Sequence, residues 1–256
     1  MLEDDFTWVI RKALKGLAIA PSEAAALANL PETDVLAFTR GRFDSDLAAR
    51  LAPALGLDPA ALASHQDYEP APLDLEGVTR IDLPFEAERV NAWLIRHQGK
   101  ALLIDTGYDG SDLTEICGKP DLVLITHPHH DHIGGLPALA KHGIPIRTPH
   151  ADGPLNAGEE ILLGGLVIRT CDLSGHASPS LGFHIEGLAK PVLVTGDALF
   201  AGSMGGCIDP ARYQHALERL RSVLAPLPGE TVLLPGHGPA TTLAEERLRN
   251  PFPLFA

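Results

Sequence analysis

Apolar and polar positions are spaced differently in the two parts of this chain. Up to about residue 65 the sequence is rich in Ala and Leu and carries almost no strand signal. It predicts short helices at Phe6–Leu17, 22–30, Glu32–Thr39, 45–55 and Pro59–Ala63. Ser22 and Ser45 are the expected N-caps, Pro21 and Pro31 sit at helix edges, and Gly41 and Gly56 follow expected ends. A polar, Pro-containing stretch, HQDYEPAPLDLEG, then reads as a linker, with the boundary near Tyr68. From Gly77 the pattern changes to apolar runs of strand length at 78–85, 89–97, 100–107, 121–127, 144–150, 160–165, 166–172, 180–186, 190–197 and 231–238. Helices are expected between them at 112–117, 133–142, Pro210–Leu224 and Leu243–Arg249. Strands that run consecutively and then alternate with helices imply an α/β fold, two mixed sheets with helices packed outside. The expected organisation is a small all-α domain at 1–68 followed by a larger α/β domain at 69–256.

A chain of 256 residues is long enough to bury a large core without disulfides. Its 45% hydrophobic and 21% charged residues exclude a disordered chain or a coiled coil. The net charge of −13 would repel a phosphate backbone, so nucleic acid is not an expected partner. Cys117, Cys171 and Cys207 are widely spaced and form no C-x-x-C pattern, which suits a reducing compartment. The start, MLEDDFTWVI, is acidic where a signal peptide is basic, and no apolar run reaches the roughly 18 residues of a membrane span. A cytoplasmic protein without membrane association is expected.

The chemistry concentrates at strand ends. Thr126-His127-Pro128-His129-His130-Asp131-His132 follows the apolar run DLVLI, and imidazole and carboxylate are the ligands of a hydrolytic zinc. One loop could present two ligands to each of two neighbouring metals. Three later strand ends add the same residue types beside glycine: Gly175-His176, Gly196-Asp197 and Gly236-His237-Gly238. A lone Gly-His is only a turn; four such ends in one chain make a metal centre.

The His-x-His-x-Asp-His string at 127–132, with IDTG at 104–107 and these later ends, resembles the metallo-β-lactamase superfamily over roughly residues 77–256. The resemblance implies an αββα sandwich. It implies a first metal held by His127, His129 and His176, a second held by Asp131, His132 and His237, and Asp197 bridging the two. IDTG packs under the site and orients it in that family. Within it, VNAWLI at 90–95, GDALFAGSMGG at 196–206 and LPGHGPATTLAEERLRNPF at 234–252 are similar to the short bacterial glyoxalase II branch. The implied cofactor is zinc, two per chain, with iron or manganese as alternatives. The implied reaction is attack of a hydroxide shared by the metals on a thioester such as an acylglutathione, with Asp131 and Asp197 as the catalytic carboxylates. Gly206 stands where the branch usually has Arg, and SGHASPSLG replaces its usual Pro-Gly-His pattern. The chain reads as lacking the helical C-terminal extension that carries glutathione contacts in longer members. The enzyme alternative is a relative, the persulfide dioxygenase, which uses a single iron.

Residues 22–62 are also similar to a helix-turn-helix of the repressor type, the basis for a second function class, a DNA-binding regulator with a metal-binding sensor. Six basic against ten acidic residues over 1–68 argue against phosphate contact. The expected role of this block is dimerisation, giving a homodimer, or covering the mouth of the site, and its removal is expected to leave metal content unchanged. Of the seven other histidines, His130 should point away from the metals and His184 is kept as a substrate contact. Tyr108 reads as a packing residue, with an approach to the pocket mouth as the alternative, and Cys207 reads as a small buried side chain.

Overall fold

The computed structural model describes residues 1–86, 88–109, 113–150 and 154–255. Five short helices come first: α1 (Phe6–Leu17), α2 (Pro21–Leu27), α3 (Glu32–Thr39), α4 (Ser45–Leu51) and α5 (Pro59–Ala63). Three match their expected bounds. The other two differ at their ends for local reasons. α2 starts one residue early because Pro21 occupies the first turn, and its N-cap, Ala20, makes no side-chain bond. α4 is capped by Asp44, whose carboxylate accepts from the Leu47 amide, rather than by Ser45. Beyond Leu51 the chain tightens into a 3₁₀ turn at Ala52–Leu55, with Pro53 in it.

The first sheet has the order β1 (Val78–Phe85), β2 (Glu88–His97), β3 (Lys100–Ile104), β4 (Leu122–Leu124) and β5 (Ile146–Arg147). β1, β2 and β3 are antiparallel neighbours, whereas β3, β4 and β5 run parallel. Helices α6 (Leu113–Cys117), α7 (His130–Ile133) and α8 (Leu136–Ala140) lie in the connections. Asp112, the expected first residue of α6, lies outside the described residues. The single helix expected at 133–142 is divided into α7 and α8. Gly134 lies against the Tyr108 carbonyl where a side chain would collide, and the Gly135 amide donates to Thr106 Oγ1 instead of continuing the helix.

The second sheet draws on β6 (Glu160–Leu163), β7 (Leu166–Asp172), β8 (Leu181–Glu186) and β9 (Val192–Gly196). After a small hairpin, β10 (Leu199–Phe200) with β11 (Ser203–Met204), and helix α9 (Pro210–Leu224), it is completed by β12 (Val232–Pro235) and β13 (Thr241–Thr242). Its order is β13-β12-β9-β8-β7-β6, and α10 (Leu243–Arg249) follows.

Central strands alternate between two buried faces. Trp93, Ile95, Leu102, Ile104 and Leu124 of the first sheet meet Phe183, Ile185, Val192, Val194, Val232 and Leu234 of the second, which forms the core between the sheets. The opposite faces of β2 and β3 pack Val90, Ala92, Leu94 and Leu103 against Leu113 and Leu139 on the outer helices. On the far side, Leu193 and Leu233 join a third cluster that contains α9, α10 and the inner faces of α1 to α4. The layering is therefore αββα, with the N-terminal helices added over α9.

Two parallel pairings position the chemistry. β3 and β4 set Ile104 opposite Leu124, so Asp105 and the Thr126-His127 segment leave adjacent strand ends. β9 and β12 set Gly196 opposite Pro235, which brings Asp197 and His237 together in the same way. Both pairs emerge at carboxyl ends of parallel strands, where open α/β sheets place their sites.

Candidate metal centre

Six side chains from these ends and His176, from the connection between β7 and β8, converge into two groups that share Asp197. His127, His129, His176 and Asp197 form one; Asp131, His132, Asp197 and His237 form the other, each with ligand atoms all within 4.8 Å of one another. All seven residues expected as ligands are thus brought together. His129 Nδ1 and His176 Nε2 are 3.1 Å apart, and His127 Nε2 and His176 Nε2 lie 3.8 and 3.6 Å from Asp197 Oδ2. In the second group His132 Nε2 is 3.3 Å from Asp197 Oδ1, and His237 Nε2 is 3.1 Å from Asp131 Oδ2.

Four of the five rings are oriented from behind. Asp105, held with φ near 59°, accepts from the Thr126 amide and hydroxyl and from His132 Nδ1, all within 2.9 Å. The Thr126 hydroxyl, donating to Asp105, is left to accept from His127 Nδ1 at 2.9 Å. His176 Nδ1 donates to the Gly206 carbonyl at 2.8 Å and His237 Nδ1 to the Arg89 carbonyl at 2.7 Å. Each of these bonds occupies Nδ1 and turns Nε2 toward the other members of the group, the outer arrangement of a metal-ligating histidine.

The buried polar atoms supply the test of whether a metal fits. His127 Nε2, His132 Nε2 and Asp197 Oδ1 are buried without a hydrogen-bond partner in the protein. Unpaired groups of this kind cost about 1–3 kcal/mol each. A divalent cation satisfies them and balances two carboxylates, so nitrogen and carboxylate donors in this arrangement fit such an ion. Gly236 makes the approach feasible: a Cβ there would run into Asp197 Oδ1 and the His132 ring.

Proton affinities divide the site. For His132, burial opposes a charge, yet Asp197 and Asp105 outweigh it and push the ring up to about 10. For His237, burial is likewise outweighed, by Asp131 and Asp197, which bring it to about 11. Asp197 is held well below the usual carboxylate range against the effect of burial, by His132 and His237. His127 is pushed well below its ordinary value by burial and then by His132, and His129 is lowered by burial and His176.

Two positioning residues escaped the sequence reading. Asn91 donates to the Pro235 and Gly238 carbonyls at 3.0 and 2.9 Å, and Trp93 Nε1 to the Pro235 carbonyl at 2.8 Å. Together they clamp the loop that carries His237. An asparagine inside the otherwise apolar run VNAWLI was the available signal. His130 is exposed, stacked edge-on against Tyr108, which is 42% exposed beside Phe85. Cys207 is buried, and His184 belongs to neither group.

The profile of the Metallo-beta-lactamase superfamily matches residues 86–163. The chain belongs to this superfamily: it is 30% identical, over 66% of its length, to the hydroxyacylglutathione hydrolase GloC of Haemophilus influenzae and covers 95% of that protein. It is 33% identical to the hydroxyacylglutathione hydrolase of Aeromonas salmonicida over 57% of its own length, and spans 59% of the length of that relative. Among solved structures it resembles TTHA1623 in a di-iron-bound form, with a TM-score of 0.54 and 29% identity over 67% of this chain and 98% of the other. No helix among the described residues is long and apolar enough to cross a membrane.

Proposed function

We propose that this protein is a metal-dependent thioester hydrolase similar to glyoxalase II, acting on an acylglutathione or a related small thioester. The observation that carries the reading is the pair of four-donor groups sharing Asp197. His127, His129 and His176 would hold one metal, Asp131, His132 and His237 the other, with Asp197 touching both. Divalent ions there, zinc with iron or manganese as alternatives, supply Lewis acidity and lower the pKa of water toward neutrality. The chain's own contribution is orientation. Asp105 and Thr126 hold His132 and His127, the Gly206 and Arg89 carbonyls hold His176 and His237, and Asn91 and Trp93 keep the His237 loop in place.

A thiolate is the leaving group that suits this set. A thiol pKa of about 8.5 lets it depart without a proton, whereas an amine needs a general acid. Every buried titratable group at the centre is committed as a ligand or as the support of one, which favours the thioester. The names of the Haemophilus and Aeromonas relatives point the same way. The test is metal analysis of protein purified without added metal, with S-lactoylglutathione, acyl-CoA esters and nitrocefin assayed side by side. Two metals per chain and turnover of a thioester are expected. Nitrocefin turnover without thioester turnover overturns the assignment, as does one iron per chain with oxygen uptake on glutathione persulfide.

A further inference from the structure

The segment preceding α1 lies against the loop that carries His237 and, at the same time, against the hairpin that follows Asp197. Glu3 reaches the loop after β12: its Oε1 is 3.9 Å from His237 Nδ1, with the side chain 25% exposed. Its backbone and Cβ lie over Gly238, where an added Cβ would sit 3.1 Å from both Glu3 N and Glu3 Cβ. On the other side Leu2 lies over Gly202 in the β10–β11 hairpin. Asp4, buried, pairs with Lys12, whose ammonium also donates to the Met204 carbonyl at 2.9 Å. That hairpin follows Asp197 and leads to Gly206, the acceptor for His176. The segment is thereby fixed between the two sources of ligands, with a carboxylate directed at one ring.

We infer that Glu3 is an outer carboxylate for His237, so the N-terminal block is a working part of the second half-site and strengthens the metal held there. This rests on the metal-pair reading proposed above. His237 Nδ1 already donates to the Arg89 carbonyl, and the Glu3 carboxylate adds negative charge on the same side of the ring. An imidazole with such partners is a more basic ligand through its other nitrogen. Glu3 is a positioning residue, acting through His237. The consequence departs from the sequence expectation that the N-terminal block is dispensable for metal content.

Glu3→Gln in the full chain separates charge from packing, because it keeps the size of the side chain. Metal-stripped wild type, Glu3→Gln and Glu3→Asp are titrated with cobalt(II), followed by calorimetry and by the cobalt absorption spectrum. The expected result is a second equivalent bound about tenfold more weakly in Glu3→Gln. The first equivalent is expected to be unchanged, and Glu3→Asp to regain part of the loss. A Glu3→Gln protein that binds both equivalents as the wild type does overturns the inference and leaves the metal-pair reading standing. A wild type that binds fewer than two equivalents overturns that reading and the inference with it. Equal weakening of both equivalents in Glu3→Gln, with no recovery in Glu3→Asp, also overturns it, because that is the behaviour of a packing residue.

Discussion

The two half-sites use the same residue types in different surroundings. In the first, His129 is exposed and His176 half-buried; in the second, all four members are buried. Burial and mutual repulsion keep His127 and His129 neutral, whereas carboxylates keep His132 and His237 protonated into the alkaline range. The first half-site is the more open of the two, and two of its rings, His127 and His129, are held below their ordinary proton affinity. The second is a closed set of charges in which protons occupy the positions a metal takes. Ligand type alone therefore does not set the behaviour of a metal site; the electrostatics behind each ring does.

The largest disturbance should come from the residue common to both halves. Asp197→Asn removes the shared charge with little change of shape, so we expect at least about a thousandfold loss of turnover, near 4 kcal/mol in the barrier. Bound metal should fall from about two per chain toward one or none, read by elemental analysis. Full metal content with near-normal rates would remove Asp197 from its bridging role. Alanine at the two distinctive histidines separates the halves: His237→Ala should retain the first metal, and His129→Ala the second. If either variant loses both, the halves do not bind independently.

Acidity sharpens the contrast further. Metal uptake in the second half-site must displace two protons, from His132 and His237, at any pH below about 10. Its apparent affinity should rise by up to about a hundredfold per pH unit between about pH 7 and 9. The first half-site, where the His127 and His129 rings have lowered proton affinity, should change little over the same range. Calorimetric titration in buffers of different ionisation enthalpy counts the protons, and equal pH dependence of the two equivalents would refute the division. The metal-free protein should show the linked stability. Two histidines raised above their unfolded value of about 6.5 stabilise the fold fully below that pH, and the contribution is lost as pH rises through about 10. Its melting temperature should fall from pH 7 to 10 more than that of the metal-loaded form.

A smaller effect tests the support of one ring. Asp105→Asn keeps one acceptor, for the Thr126 amide, and loses the oxygen that accepts from His132 and from the Thr126 hydroxyl, so the second equivalent should bind about tenfold more weakly and the first, reached only through Thr126 and His127, should weaken less. A uniform loss at both would show that Asp105 only maintains the strand end.

Much of this architecture was legible in the residues. The seven converging side chains were readable because their loops follow apolar strands, three of them beside glycine (His176, Asp197 and His237), and hydrophobic runs report strands wherever both faces are buried. α9 and α10 were readable to the residue, since Asp209 and Thr242 cap them and Pro210 opens α9. Long-range contacts were not readable. Nothing in RVNAWLIRH names the Pro235 carbonyl as the partner of Asn91, and nothing near Glu3 names His237, which lies at the opposite end of the chain. The division of the helix at Gly134 likewise depends on the Tyr108 carbonyl, a contact only the fold creates.

The core shared by α1 and α9 has a consequence for how the chain is made. α1 ends at Leu17 and α9 at Leu224, and the ring of Tyr213 occupies the space where Gly16 would carry a side chain. At about 5–20 residues per second, the ribosome finishes α9 roughly 10–40 s after α1. Through that interval Val9, Ile10, Ala13 and Leu14 have only the neighbouring short helices to cover them. Until α9 emerges this helical block is therefore an apolar surface open to a chaperone, waiting for a partner encoded much later in the message.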